Sequence, residues 1–475
     1  MKFWKRLTAC ALTAAMAAGF AGCGSSGGDA SKKEDSDKED AVIPYDSDFT
    51  IGVDKIAEAM GAGWNVGNQL EANSGGKVNE TVWGNPEITQ ELISAVADAG
   101  FTTVRVPVSY LDRIDDANGY QVDSAWLDRV EEVVQYCYNE GLYVIINMHG
   151  DGYNSIDGGW FLVNGEDQDM IREKYEAVWK QIAERFAKYD EHLIFESMNE
   201  ESDGTYDGDP NKEYYANLNQ YNQIFVDTVR GTGEKNTHRW LLVPGWNTNI
   251  EYTIGDYGFE MPTDEKCSAG ESRMMVSVHY YDPWDYCGTE DLKTILWGEY
   301  GDNLIEVNGF PKMNKAKWGD ESYLDDLFSR MQEKFVKNDI PVIIGEYGCI
   351  DKSSAYADFA GQLQDTDGLT GQCVHGTQQG SLFIQSLAGV ADECGGDAQH
   401  IILHKGVAGG VPCGVAACFT GSAQTARREG GSIGLAAYQL LAGELHNGGT
   451  VAHRADKAIV LLASDAGQGL EPVGV

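Results

Sequence analysis

PVIIGEYG, residues 341–348, runs an apolar stretch straight into Gly345, Glu346, Tyr347 and Gly348. A strand that served only to fill a core has no reason to end on a carboxylate, because burying an unpaired charge is costly. Six earlier runs are built alike: GAGWNVGN (61–68), TTVRVPVS (102–109), YVIINMHG (143–150), HLIFESMNE (192–200), RWLLVPGWN (239–247) and MMVSVHYY (274–281). They are rich in Val and Ile without polar alternation, which marks strands buried on both faces. Helical patterns lie between several of them. Asn85-Pro86 can cap and open one whose Ile88, Leu92, Ile93 and Val96 share a face, with Gly100 at its end. Asp123 can cap a second, with Trp126, Leu127, Val130, Val134 and Cys137 on one stripe and Gly141 closing it. Residues 169–189 repeat the rhythm with Tyr175, Val178, Trp179, Ile182 and Phe186. Strand-then-helix units in such a series predict a parallel α/β sheet, and their number favours a (β/α)8 TIM barrel over an open sheet.

Polar and aromatic residues gather at the C-terminal ends of these strands, the rim on which barrel enzymes build their sites. They are Asn65 and Asn68, Arg105, His149, Asn199 and Glu200, Trp246, His279 and Tyr281, and Glu346. Two carboxylates stand out, Glu200 closing the fourth strand and Glu346 the seventh. On a closed barrel both can point across one cleft. A carboxyl pair flanking a glycosidic bond is what sugar hydrolysis needs: a protonated one donates to the leaving oxygen, an ionised one attacks the anomeric carbon. Asn199 can hold the sugar 2-hydroxyl, Arg105 can keep Glu346 ionised, and His279 and Tyr281 can hydrogen-bond around the acids. Each of these alone reads equally as a satisfied polar residue at a strand end; the two Glu on one rim are the specific signal.

GWNVGNQLEA, TVRVPVSY, VIINMHG, LIFESMNE, SVHYYDP and PVIIGEYG, in this order and spacing, resemble the endoglucanases of glycoside hydrolase family 5. The resemblance covers residues from about 49 to 352. It implies a (β/α)8 barrel and retaining hydrolysis without a cofactor. Matched motif to motif, it makes Glu200 the acid/base and Glu346 the nucleophile, with Arg105, His149, Asn199, His279 and Tyr281 on supporting positions. The sequence departs from that pattern twice. Gly150 follows His149 where many members carry a second His, and no Trp is found near an eighth strand end, where the family stacks one under the sugar.

The ends of the chain read differently. MKFWKRLTACALTAAMAAGFAGC is a basic start, a short apolar stretch and a small-residue site, as in a bacterial secretory signal. Phe20-Ala21-Gly22-Cys23 is similar to a lipoprotein processing box, so residues 1–23 are expected to be a leader, with Cys23 carrying lipid at the cell surface. An ordinary signal peptide cut nearby is the alternative. Residues 24–48 are Gly, Ser, Lys and acid with little to bury, a flexible tether to a catalytic domain spanning 49–352. Residues 353–475 form an anomalous tail. After Trp318 there is no Trp, and residues 358–475 carry 22 Gly, a single Tyr (Tyr438) and five of the nine His. A divergent second domain, a low-complexity extension and loss of the reading frame soon after Lys352 compete to explain it, and frame loss is our reading. HIILHKGV (400–407) is the one fair substitute for an eighth strand.

A net charge of −39 argues against nucleic acid as a partner. Nine Cys after residue 10 show no metal-like spacing, so no metal site is expected, and disulfides cannot be paired from sequence. A monomer is expected, with membrane contact only through the lipid. Trp160, Trp246 and Trp284 follow strands and can stack on sugar rings together with Asn68 as substrate-binding residues; each Trp reads equally as loop packing. From the resemblance the substrate is a β-1,4-glucan such as cellulose, with xyloglucan, mixed-linkage glucan and mannan as alternatives. The rival class is a surface glycan-binding lipoprotein that no longer cleaves. A phosphate-ester barrel is weak, since no glycine-rich loop follows the later strands. The gene sequence around codons 350–380 decides the tail: an uninterrupted frame excludes frame loss.

Overall fold

The computed structural model describes residues 49–206, 208–289, 293–308, 312–350 and 459–463. Eight strands carry the fold: β1 (Gly63–Asn65), β2 (Thr103–Val106), β3 (Tyr143–Ile146), β4 (Leu193–Glu196), β5 (Leu241–Asn249), β6 (Met274–Tyr280), β7 (Val342–Tyr347) and β8 (Ile459–Ala463). All pair in parallel, and the ring closes because β1 bonds to both β2 and β8. The unalternating Val/Ile runs are explained by burial: every residue of β2, β3, β4 and β6 is buried, with the barrel interior on one side and helices on the other. A short helix, Ile56–Met60, closes the N-terminal end of the barrel. It packs Ile56, Ala57 and Met60 against Tyr143, Ile145, Trp240, Leu242 and Met275.

The outer layer includes α1 (Gln90–Asp98), α2 (Ser124–Asn139), α3 (Gln168–Arg185), α4 (Lys212–Gly231) and α5 (Glu321–Lys334). Asp123 caps α2 as its sequence predicts, accepting from Ala125 N–H. The first helix starts later than Asn85-Pro86. Thr89 is its cap, because the earlier residues serve the loop after β1. Asn85 Nδ2 donates to the carbonyls of Asn68 (3.3 Å) and Gly67 (3.5 Å), and Pro86 O accepts from Gln69 Nε2 at 2.7 Å. Gly100 and Gly141 follow their helices with φ of +100° and +74°, the left-handed conformation that favours glycine at a helix end.

The eighth strand differs from its sequence reading. Ile459–Ala463 occupies it, pairing Val342–Ile344 of β7 on one side and Gly63–Trp64 of β1 on the other. An apolar five-residue run satisfies the two strand edges that would otherwise be left open. Residues 400–407, like the leader, Cys23, the 24–48 tether and the rest of the tail, lie outside the described residues. Among the described residues no helix is long and apolar enough to cross a membrane.

One buried cation fixes the position of β4. Arg239, at the entry to β5, is fully buried and spends its fork on main-chain carbonyls of the α3–β4 connection. It reaches Phe186 O (3.2 Å), Tyr189 O (2.7 Å), Asp190 O (3.1 Å) and Leu193 O (2.7 Å), and Nε meets Asn236 Oδ1 at 2.7 Å. Arg239→Met removes these donors without opening much space and strands four carbonyls and the Asn236 side-chain oxygen. Urea unfolding is expected to show a loss of about 3–5 kcal/mol, since each buried acceptor left unpaired costs about 1–3 kcal/mol; a change under about 1 kcal/mol would contradict this role.

Candidate active site

The C-terminal rim of the barrel is organised around a second buried arginine. Arg105 ends β2 among strands that each bring it an acceptor. Nε donates to Glu196 Oε2 (2.7 Å) on β4, Nη1 to Asn65 Oδ1 (3.0 Å) on β1 and Glu346 Oε1 (2.7 Å) on β7, and Nη2 to Asn199 Oδ1 (2.6 Å) just past β4. Glu196 is itself fully used: Ser277 Oγ donates at 2.5 Å and Asn147 Nδ2 at 3.0 Å. Asn65 Nδ2 returns to the carbonyl of Gly345 at 2.8 Å, tying β1 to the segment that presents Glu346.

Glu346 therefore has an anchored oxygen on Arg105, while Oε2 accepts from Tyr281 Oη at 2.9 Å. Burial alone would raise its pKa, but His279, Arg105 and the Tyr281 hydrogen bond outweigh that and bring it down to about 2. His279 is aimed by an irregularity in β6. The register with β7 shifts between Val278 and His279, which sets His279 level with Glu346. Gly345 allows this approach, since a Cβ there would stand 3.0 Å from His279 Nε2. Nδ1 of His279 lies 2.7 Å from Glu200 Oε1 and 3.7 Å from Glu346 Oε2. Burial opposes a proton on His279, but Glu346 and then Glu200 raise its pKa on balance.

Glu200 faces Glu346 across the cleft. A carboxylate oxygen of each, with a His279 nitrogen, lies within 4.8 Å of the others. Glu200 has φ +39°, in the left-handed region a non-glycine residue adopts only under constraint. Its neighbours supply that constraint: Asn199 N–H donates to Met148 O at 3.0 Å, and Glu201 O accepts from Asn247 N–H at 2.9 Å. His149 lies on the same rim, and its N–H bonds to Val108 O at 2.8 Å. Burial lowers its pKa to about 3, so it stays a neutral ring.

The rim thus brings together Glu200, Glu346, Arg105, His149, Asn199, His279 and Tyr281. The substrate-binding residues expected from sequence separate. Trp284 is 53% exposed and meets Tyr281 edge-on, with ring centroids 6.3 Å apart. Trp246 is only 2% exposed and packs on Tyr215, so it belongs to the core and cannot stack on a sugar. Trp160 is half-buried: its N–H donates to Asp151 Oδ1 at 2.8 Å and Lys174 Nζ covers its ring at 4.7 Å, so packing claims it. Asn68 is half-buried, with φ +63°, and its N–H is held by the Glu71 carboxylate, which also takes Gln69 N–H at 3.0 Å.

Several residues were not singled out in the sequence. Glu196 hides inside FESMNE as one more strand residue, and only its fully buried charge would flag it. Tyr153 places its hydroxyl 3.2 Å from Glu200 Oε2 and 2.6 Å from Asn199 Nδ2. Trp318, 49% exposed beside Tyr323, adds a second open aromatic near Trp284, since Gly319 packs against Pro283. Two buried acids lie next to the pair. Burial raises the pKa of Asp151 to about 7 and that of Glu201 well above the carboxylate range.

The chain is similar to known proteins. The family model described as cellulase (glycosyl hydrolase family 5) matches residues 66–368. Endoglucanase A of Paenibacillus barcinonensis is 55% identical over 304 residues, which is 63% of this chain and 74% of that protein. The xyloglucan-specific endo-beta-1,4-glucanase of Bacteroides ovatus is 37% identical over 304 residues, 62% of this chain and 56% of that protein. Among solved structures, a family 5 xyloglucanase from Paenibacillus pabuli in complex with ligand superposes with a TM-score of 0.64 at 50% identity, covering 71% of this chain and 88% of that one.

The lowered pKa of Glu346 carries a sign for stability. Its ionisation supports the fold in full above about 4.5, its ordinary value, and that support is lost as pH falls toward about 2. The difference in unfolding free energy between the parent and Glu346→Gln is expected to shrink steadily from pH 5 to pH 2. A difference that stays constant across that range would contradict an ionised Glu346.

Proposed function

The chain belongs to glycosyl hydrolase family 5, and on that footing we propose that it is a retaining endo-β-1,4-glucanase acting on cellulose or a related β-glucan by double displacement. The observation that carries the mechanism is the close approach of Glu200 and Glu346, with one oxygen of each within 4.8 Å. Retaining pairs stand about 5–5.5 Å apart, whereas an inverting pair needs about 6.5–9.5 Å to admit a water. This spacing supports direct attack by one carboxylate.

Glu346 is the nucleophile. Held ionised by Arg105 and Tyr281, it attacks the anomeric carbon while Glu200 delivers its proton to the departing glycosidic oxygen. A glycosyl ester forms on Glu346 and the leaving chain departs with a free hydroxyl. Glu200, now an anion, takes a proton from water, which attacks the same carbon and frees Glu346, so the configuration is restored. Asn199 uses Oδ1 on Arg105 and one amide hydrogen on Tyr153, which leaves its second hydrogen for the sugar 2-hydroxyl. Exposed Trp284 and Trp318 supply stacking faces suited to a long glucan chain. The intact pair supports cleavage over glycan binding alone.

Release of reducing ends from carboxymethyl cellulose is expected for the parent, and Glu346→Gln is expected to lower kcat by at least about 10⁴-fold with little change in binding. Activity that survives this substitution rejects the nucleophile. Parallel assays on xyloglucan, mixed-linkage glucan and mannan rank the substrates. We also propose export to the cell surface through a lipid on Cys23, supported by the FAGC box in the leader. Palmitate labelling should be lost in Cys23→Ser, and labelling that persists there removes the anchor.

A further inference from the structure

The loop after β3 is shaped to deliver one hydroxyl to Glu200. Gly150 has φ +84°, and Tyr153 N–H turns back to its carbonyl at 3.3 Å. Gly152 passes directly against the Glu201 side chain, where any Cβ would stand 1.7 Å from Glu201 Oε2. This backbone path, open only to glycine at 152, sets the Tyr153 ring beside His149 with centroids 6.4 Å apart.

The direction of the hydrogen bonds is set by valence. Asn199 Oδ1 accepts from Arg105, so its Nδ2 faces Tyr153 and must donate to the phenol oxygen at 2.6 Å. The single phenolic hydrogen then points to Glu200 Oε2 at 3.2 Å. Burial, followed by the charges of Glu200, Glu201 and Glu346, keeps that hydrogen in place by raising the phenol pKa well above its usual value. His279 Nδ1 meets the other Glu200 oxygen at 2.7 Å. The chain Arg105–Asn199–Tyr153–Glu200 therefore runs from the cation that holds the nucleophile to the carboxyl opposite it.

We propose that Tyr153 is a positioning residue that stabilises the Glu200 carboxylate as it forms, when its proton passes to the leaving glycosidic oxygen. A donor aimed at a developing anion strengthens in the transition state and assists only the step that generates the charge. In that step the O–H bond of Glu200 breaks, the proton and the bond electrons of the C–O cleavage end on the leaving sugar, and the new anion accepts from Tyr153. This rests on the reading of Glu200 as the acid and Glu346 as the nucleophile.

The test uses two substrates that differ in their need for an acid. A cello-oligosaccharide leaves as a poor alkoxide and needs the proton, whereas 2,4-dinitrophenyl β-cellobioside leaves without one. Tyr153→Phe keeps the ring and deletes the hydroxyl. Its kcat/KM on cellotetraose is expected to fall about ten- to a hundred-fold, the worth of one hydrogen bond to a charged group. On the aryl cellobioside the fall is expected to stay below about threefold, which also shows that the variant is folded. Equal losses on both substrates, or no loss on either, overturn the role of Tyr153. Turnover of either substrate by Glu346→Gln would instead overturn the reading on which it rests.

Discussion

Arg105 is the interaction on which the site depends. A guanidinium with no exposure to water can remain charged at the centre of a barrel only if anions and dipoles surround it. Here the surroundings come from the ends of three other strands: Asn65 of β1, Glu196 of β4 with Asn199 just past it, and Glu346 of β7. The fork geometry fixes the angles between these partners, so β1, β2, β4 and β7 are held in one register by a single side chain. Burial, which would otherwise neutralise a carboxyl, instead sharpens the charge on Glu346, because the nearest compensating charges are placed before any sugar arrives.

A second consequence concerns Glu196. Its three donors, Arg105, Asn147 and Ser277, come from β2, the end of β3 and β6, so the carboxylate offsets the desolvation of Arg105 without competing for the cleft. Two acids on neighbouring positions thus do opposite work. Glu196 points into the barrel and balances the charge of Arg105; Glu200, four residues on and outside the strand, faces Glu346 across the open cleft.

Much of this was legible in the sequence. Runs of Val and Ile without alternation reveal a parallel barrel because both faces of each strand are buried, and polar residues at the ends of those runs reveal the rim. Glu200 and Glu346 were readable for that reason. What escaped were contacts made by loops. The start of the first helix was misread because Asn85 and Pro86 look like a cap and N1 pair, whereas their polar groups are spent on the turn after β1. Trp246 was read as a platform because its position follows a strand, yet β5 continues to Asn249 and buries the ring. Tyr153 lies in a glycine-rich stretch that looks like an ordinary turn, and its reach to Glu200 depends on a glycine three residues of chain cannot advertise. The eighth strand was sought at 400–407, and a similar apolar run at 459–463 holds the place.

The packing of Gly152 on Glu201 and of Tyr153 on Glu200 joins the loops after β3 and β4 into one inflexible block. Lengthening either loop would move Glu200 itself. The β6 side is different: the strand reaches the pair through His279 and, just past its end, Tyr281, while Trp284 and Trp318 stand open beyond them. A change of loop length after β6 would therefore reshape this open aromatic surface and leave Glu200 where it stands.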